Sequence, residues 1–333
     1  MTRERKFSSP PHWHYGGSIA GIMLPVCLAL LPGLICHALL FGPGVVIQTL
    51  LAVCSALILE SLMLKISGKQ IIANISDAGA VLTALLFGLT ISPFTPWWIT
   101  CTGIFFSITV AKHLYGGTGE NIFNPAMAGY FFILLCFPTE MNYWPNPDQP
   151  APTLSAYLPT IFHGMERPDA YSGATPLAHI RFQLQQMLTL TEILAAPLPA
   201  GRDWLLLNTA FLFGGIILLI TGSIKWHIPV AMLAGISLCA ILFNLHDPDL
   251  YNGALFHLFS GGTMLGAFFI ATDPVTSPAT LFGRLLFGLL VGVTVYCIRI
   301  WGNLTDGIAF AILIGNSMVP LIDKLTGQKI TNE

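Results

Sequence analysis

Trp204-Leu-Leu-Leu-Asn-Thr-Ala-Phe-Leu-Phe-Gly-Gly-Ile-Ile-Leu-Leu-Ile-Thr221 carries no charged side chain from end to end. As a helix it is long enough to cross a bilayer, for which roughly 17–25 apolar residues suffice. Stretches of the same kind precede it at 18–40, 45–64, 77–92, 96–113 and 124–138, and follow it at 228–244, 253–272, 281–300 and 306–322. The stretches at 77–92 and 124–138 are short, as broken helices covered by protein can be. The whole chain agrees: its 333 residues are 54% hydrophobic and 9% charged, with a mean hydropathy of +0.73. A soluble domain would be near a quarter charged. The expected fold is an all-α polytopic membrane protein of about ten transmembrane helices. The net charge of -2 gives no indication of a nucleic-acid partner, and none is expected.

Charge placement sets the expected orientation. With the N-terminus inside, Arg3, Arg5, Lys6, Lys65, Lys69, Lys112, Lys225, Arg284, Lys324 and Lys329 fall on the cytoplasmic side, against Arg167, Arg181, Arg202 and Arg299 outside. Both termini are therefore expected in the cytoplasm. The domain plan reads as a cytoplasmic tail 1–17, a first five-helix half 18–138, an extracytoplasmic loop 139–203, a second five-helix half 204–322 and a cytoplasmic tail 323–333. The first segment shows no small-residue cleavage site and reads as a retained anchor. Five spans per half would invert the second half relative to the first. The halves echo each other in His113-Leu-Tyr-Gly-Gly-Thr118 before Asn124-Pro125, and in His257-Leu-Phe-Ser-Gly-Gly-Thr263 before Asp273-Pro274.

Gly116-Gly-Thr-Gly-Glu-Asn-Ile-Phe-Asn124-Pro125 has too many helix breakers to face lipid, so it is expected to line a cavity or lie under protein. Asn121 and Asn124 then offer amide donors and acceptors in a dry place, which suits the edge of a planar heterocycle. Asn124 with Pro125 also fits a helix N-cap, and both readings stay open. Ser260 to Pro278 is a second such stretch. Thr272 and Asp273 stand at the end of a span, where an ionisable group marks a cavity or ion path, or caps the next helix. Asp77 and Asp306 are expected as N-caps, and Glu60 is expected to snorkel or pair near Lys65.

The seven cysteines are scattered without a CxxC pair, and the histidines form no HxxxH or HExxH, so no metal site and no disulfide framework is expected. Trp97, Trp98, Trp204, Trp226 and Trp301 fall near span ends, as an aromatic belt would place them. In the long loop, Asp169-Ala-Tyr-Ser-Gly-Ala-Thr175-Pro176 is turn-prone, and its Ser172 and Thr175 hydroxyls are expected on an exposed turn. A short surface helix is expected within Arg181–Leu194.

Three runs together resemble the RnfD/NqrB family of membrane subunits of ion-translocating electron-transport complexes, and look more like RnfD. They are Gly-Gly-Thr-Gly-x-Asn-x-x-Asn-Pro-Ala, Ser-Gly-Ala-Thr in the loop, and Gly-Gly-Thr-Met-x-Gly-Ala-Phe-Phe-Ile-Ala-Thr-Asp-Pro. The resemblance covers most of the chain. It implies FMN attached by a flavin transferase, through its phosphate, to Thr175, the last residue of a pattern that Asp169, Ser172, Gly173 and Ala174 match. Ala170 stands where that pattern prefers Gly. It further implies a second, non-covalent flavin, riboflavin, at Asn121 and Asn124, and a bacterial cytoplasmic (inner) membrane location. Electrons would come from a neighbouring FMN-bearing extracytoplasmic subunit, and ferredoxin and NAD oxidoreduction would be coupled to Na⁺ or H⁺ movement. No GxGxxG is present for nicotinamide, so no catalytic residue is assigned to this chain. The alternative from another class is a solute channel or transporter, with Thr175 unmodified and Asn121, Asn124 and Asp273 lining a pore.

Overall fold

The computed structural model describes residues 19–117, 119–146, 149, 151–164, 172–302, 304 and 306–327. Asp169 and Ala170 of the loop pattern lie outside the described residues. The chain folds as a polytopic helical membrane protein. Among the described residues, six helices are long and apolar enough to cross a membrane: Gly21–Phe41, Gly44–Ile66, Gly201–Ile220, His227–His246, Leu281–Trp301 and Ile308–Gly327. In chain order the first of these is α1 (Ile19–Ala29) running into α2 (Leu31–Phe41), and the second is α3 (Gly44–Ile66). After a short α4 (Ile71–Ile75) come two shorter apolar helices, α5 (Gly79–Thr90) and α7 (Pro125–Cys136). Between them, α6 (Trp97–Phe105) continues as a π-helical stretch to Lys112. The predicted span 96–113 is therefore not one regular helix.

The loop region holds α8 (Pro138–Met141), β1 (Trp144–Pro145), α9 (Leu154–His163), β2 (Ser172–Gly173), α10 (Pro176–Gln185) and α11 (Leu190–Leu194). The second half follows as α12 (Gly201–Ile220), α13 (His227–His246), α14 (Ala254–Phe259), α15 (Thr263–Leu265), α16 (Leu281–Trp301) and α17 (Ile308–Gly327), with a π-helical stretch Gly266–Ile270 after α15. The predicted span 253–272 is broken between α14 and α15. Gly261 has φ +58°, where an added Cβ would stand 2.3 Å from an Asp306 carboxylate oxygen. The backbone groups freed by the break cannot be left bare in a membrane. Asn208 on α12 takes them up, donating to the carbonyls of Phe259 and Gly261 and accepting the Met264 N–H.

Small residues let the long helices close on one another. A Cβ at Gly292 would stand 2.2 Å from the Met232 carbonyl, and one at Gly288 2.6 Å from that of Ile228, so α16 lies directly on the backbone of α13.

The loop is not a free tether. Tyr157 of α9 is buried against Phe94 and Ile161 and donates its hydroxyl to the Phe41 carbonyl at the end of α2. β1 and β2 pair antiparallel, Trp144 with Gly173 and Pro145 with Ser172. Arg181 of α10 donates to the carbonyls of Ile298, Arg299 and Leu304, capping the end of α16. Burial against those carbonyls lowers its pKa from the usual guanidinium value. The expectation of an exposed turn at Ser172 and Thr175 is corrected accordingly: both are half-buried. The expected surface helix is two helices, α10 and α11. The echo between the two Gly-Gly-Thr runs is corrected as well. Gly116 and Gly117 precede α7, whereas Gly261 to Thr263 sit in the middle of a broken segment, so the runs occupy different points of their halves.

Candidate functional site

Each predicted site residue that the structure describes lines, or stands beside, one of two cavities between the helices. The first, about 1220 Å³ with its open mouth, is lined by Asn121, Asn124, Thr272 and Asp273 together with Lys112, Lys225 and Arg284. Asn124 is the N-cap of α7, its Oδ1 accepting the Met127 N–H at 3.2 Å. Its Nδ2 donates to Asp273 Oδ2 at 3.2 Å. Cap and cavity wall are thus the same residue. The second Asp273 oxygen accepts the Val275 N–H at 3.0 Å.

Asn121 spends its Nδ2 on the Phe123 carbonyl, while its amide oxygen accepts nothing among the described residues. Thr272 gives its hydroxyl proton to the Phe268 carbonyl. Asn124 and Asp273 are 149 positions apart in the chain. The residue that brings their two stretches together is Asn316 on α17, whose Oδ1 accepts the Asn124 N–H at 3.1 Å and whose Nδ2 donates to the Thr276 carbonyl at 3.0 Å. Sequence reasoning passed over it; the available signal was an amide beside Gly315 in an otherwise apolar segment.

Beside this cavity, Glu60 pairs with Lys112 Nζ at 3.0 Å and with His113 Nε2 at 3.0 Å, all but sealed from solvent. Of the two expectations for Glu60, snorkelling or pairing, it pairs, with residues 52 and 53 positions along the chain. Asp77 is not the N-cap expected of it: that position is Ala78, and Asp77, one residue ahead, accepts the Gly79 N–H at the start of α5. Asp306 does not cap α17. It accepts the Gly262 N–H at 2.7 Å and pairs with Arg299 at 2.9 Å, and Arg299 also reaches Thr263 Oγ1 and the His257 carbonyl. This network holds the α14–α15 break in place.

The second cavity, about 810 Å³, is lined by Thr175, His37, Trp144, Trp204, Tyr130 and Phe211 among others. Thr175 is the N-cap of the ten-residue α10, with Pro176 following and Oγ1 accepting the Ala178 N–H at 3.3 Å. Trp144 stacks at 6.2 Å on His37 and meets Trp204 at 5.4 Å. Trp204 is therefore a cavity wall rather than a belt residue, while Trp97, Trp98, Trp226 and Trp301 are exposed as expected. Nothing in the local sequence around His37 or Trp144 announced this, because strand pairing and helix packing bring them to Thr175.

The two cavities share walls. α5 lends Leu86 to the first and Leu89 to the second, the chain around the start of α7 lends Pro125 and Met127, and the Gly266–Ile270 stretch lends Phe269 and Ile270. Along these three stretches the residues lining one cavity stand one to three positions from those lining the other. Opposite ends of α1–α2 serve them too, Ile22 to Val26 on one side and His37 on the other.

A planar, partly polar heterocycle fits both. The first offers amides and a carboxylate on an apolar wall, and the second offers indole faces, an imidazole unpartnered among the described residues and a hydroxyl at a helix N-terminus, where phosphate is favoured.

The family model described as the NQR2, RnfD, RnfE family matches residues 6–332. The chain is similar to the D subunit of the ion-translocating oxidoreductase complex of Aliivibrio salmonicida, 44% identical over 96% of each chain. It is 41% identical to the protein of that name from Cronobacter sakazakii over 98% of each. The Vibrio cholerae protein of that name is 42% identical over 96% of this chain and 97% of its own.

Proposed function

Because the chain belongs to the NQR2, RnfD, RnfE family, we propose that it is a membrane flavoprotein subunit of an ion-translocating, Rnf-type oxidoreductase complex, holding FMN covalently on Thr175 and riboflavin non-covalently at Asn121 and Asn124. The observation that carries this reading is the placement of Thr175 on an aromatic cavity whose far wall is shared with the Asn121–Asn124 cavity. Two adjoining cavities lined by the same helices suit electron relay. A channel would instead have one continuous polar path.

Thr175 suits a phosphoester. As N-cap it leaves the Leu177 and Ala178 N–H groups, Pro176 having none, and the positive end of the α10 dipole next to the attached phosphate. In the attachment reaction the Thr175 oxygen takes a flavin phosphoryl group from a donor bearing a phosphoanhydride, and a nucleoside monophosphate and the hydroxyl proton leave. A flavin transferase would supply that donor and its active site. Tethering then replaces a binding equilibrium with a fixed local concentration. The bound flavins supply the one- and two-electron chemistry, while this chain orients them and excludes water.

The remaining elements of the reading are proposals of the same kind. Each half opens with two long apolar helical segments, α1–α2 with α3 and α12 with α13, and α2 meets α12 as α7 meets α17. That supports five-plus-five inverted halves of about ten spans, with the loop 139–203 extracytoplasmic and both termini in the bacterial cytoplasm. Lys112, Lys225 and Arg284 then put the riboflavin cavity at the cytoplasmic end. Electrons arrive from an FMN-bearing extracytoplasmic subunit, and transfer is coupled to Na⁺ or H⁺ movement.

The test is a denaturing gel of the chain made with its flavin transferase and viewed by flavin fluorescence. A fluorescent band that Thr175→Ala abolishes is expected. An unlabelled wild-type chain overturns the covalent-flavin reading. For the second site, Asn124→Ala lowers the riboflavin extracted from the assembled complex while leaving the band; unchanged recovery overturns that assignment.

A further inference from the structure

His37 sits on α2 with 1% of its surface exposed, and neither of its ring nitrogens has a hydrogen-bond partner among the described residues. Phe41 meets the ring edge-on at 5.0 Å and Trp144 stacks on it at 6.2 Å and 14°. An imidazole always has at least one N–H to give. A buried polar group without a partner is uncommon in a packed protein, and where it lines a cavity it marks a place for a group outside the chain. The place for that group is defined, because His37 lines the same cavity as Thr175, Trp144, Gly261 and Gly262. Two other polar groups of the wall are committed elsewhere: Asp306 to Gly262 and Arg299, and Thr175 to the N-terminus of α10.

We infer that His37 donates a ring N–H hydrogen bond to the polar edge of the isoalloxazine carried by Thr175 and thereby sets its reduction potential. The inference rests on the covalent-flavin reading and adds a residue to it. The chemistry requires a donor at this place. The pyrimidine edge of an isoalloxazine presents two carbonyl oxygens and a ring nitrogen that gains electron density on reduction. Trp144 and Trp204 supply apolar faces for the ring. A donor hydrogen bond strengthens as its acceptor becomes more negative, so it favours the reduced flavin and raises the potential.

The experiment uses the assembled complex with wild-type, His37→Leu and His37→Gln chains, read by the fluorescent gel band and by a potentiometric titration of the covalent flavin. His257→Leu is the control, since that histidine is equally buried and unpartnered among the described residues, yet lines neither cavity. The expected result is a retained band in every variant. His37→Leu shifts the oxidised-to-reduced ratio about tenfold toward oxidised, a fall of about 30 mV for a two-electron couple. His37→Gln, which keeps an N–H donor, recovers part of the shift, and His257→Leu shows none.

A potential unchanged in His37→Leu overturns the inference, and so does an equal shift in His257→Leu. A missing band in the wild type instead overturns the covalent-flavin reading beneath it. If the Leu and Gln chains do not assemble, the wild-type complex with ring-labelled histidine decides the matter by flavin-poised infrared difference spectra. Isotope-sensitive imidazole bands that follow flavin reduction support the contact, and their absence overturns it.

Discussion

Replacing Asn316 by Leu keeps the volume of the side chain and removes both of its hydrogen bonds. The Asn124 N–H loses its acceptor and the Thr276 carbonyl loses its donor. An orphaned buried polar group costs about 1–3 kcal/mol. The two are not equal. Asn124 lines the open cavity, where water can reach it, whereas Thr276 is buried and lies outside that lining. The carbonyl therefore carries the fuller cost, and the pair together should cost about 2–4 kcal/mol.

Part of that loss falls on the geometry between Asn124 and Asp273, which belong to chain breaks that Asn316 bridges through both of its amide atoms. At about 1.4 kcal/mol per factor of ten, riboflavin affinity should weaken at least roughly tenfold. The assay is riboflavin retained by the purified complex as free riboflavin is diluted, with the covalent gel band as internal standard. Ser317→Ala is the control, because its exposed hydroxyl bonds the Ile314 carbonyl on its own helix. Wild-type retention and wild-type thermal stability in Asn316→Leu would refute the bridging role.

Three further outcomes follow from other parts of the molecule. Thr175→Asn should keep the cap of α10 and lose the fluorescent band, whereas Thr175→Ser keeps both; Thr175→Ala should lose the band and about 1 kcal/mol of cap stability besides, which thermal denaturation of the three variants separates. Glu60→Leu leaves the Lys112 ammonium buried without its carboxylate and should cost about 3–5 kcal/mol. Adding Lys112→Met should recover a large part of it, and a double variant as unstable as the single one would contradict the pairing of these two residues. In the α11 capping box, the Thr189 backbone N–H and hydroxyl hold the Glu192 carboxyl below its usual range. A depressed pKa gives a contribution that is complete above the unfolded value and is lost as pH falls through the folded one. Amide exchange at Glu192 and Ile193, corrected for its intrinsic pH dependence, should accordingly lose protection below the ordinary carboxylate range and keep it from there to neutrality.

Much of the architecture was legible because membrane insertion leaves a one-dimensional trace. A helix in lipid must satisfy its own backbone, so its length and apolarity appear as an unbroken run. The runs at 204–221 and 281–300 became α12 and α16 within a few residues. The broken segments were legible only as trouble. Gly261 and Gly262 announced a break, but that Asn208, Asp306 and Arg299 would complete its hydrogen bonds depended on side chains from other parts of the chain. The two Gly-Gly-Thr runs misled for the same reason: a local match says nothing about which point of a half it occupies.

The sequence by itself determined the membrane class and the runs that became the six long apolar helices among the described residues, and it offered Asn124 as cap or cavity residue and Asn121, Thr272 and Asp273 as cavity residues. These depend on local apolarity, helix breakers and side-chain chemistry within one stretch. Tertiary structure alone decided that Asn124 and Asp273 touch, that Glu60 pairs with Lys112 and His113, and that Thr175 is half-buried on the cavity that holds His37, Trp144 and Trp204. Each of these brings together residues far apart in the chain. Close helix packing and the docking of a polar loop set such contacts, and neither leaves a periodic mark in the residues it brings together.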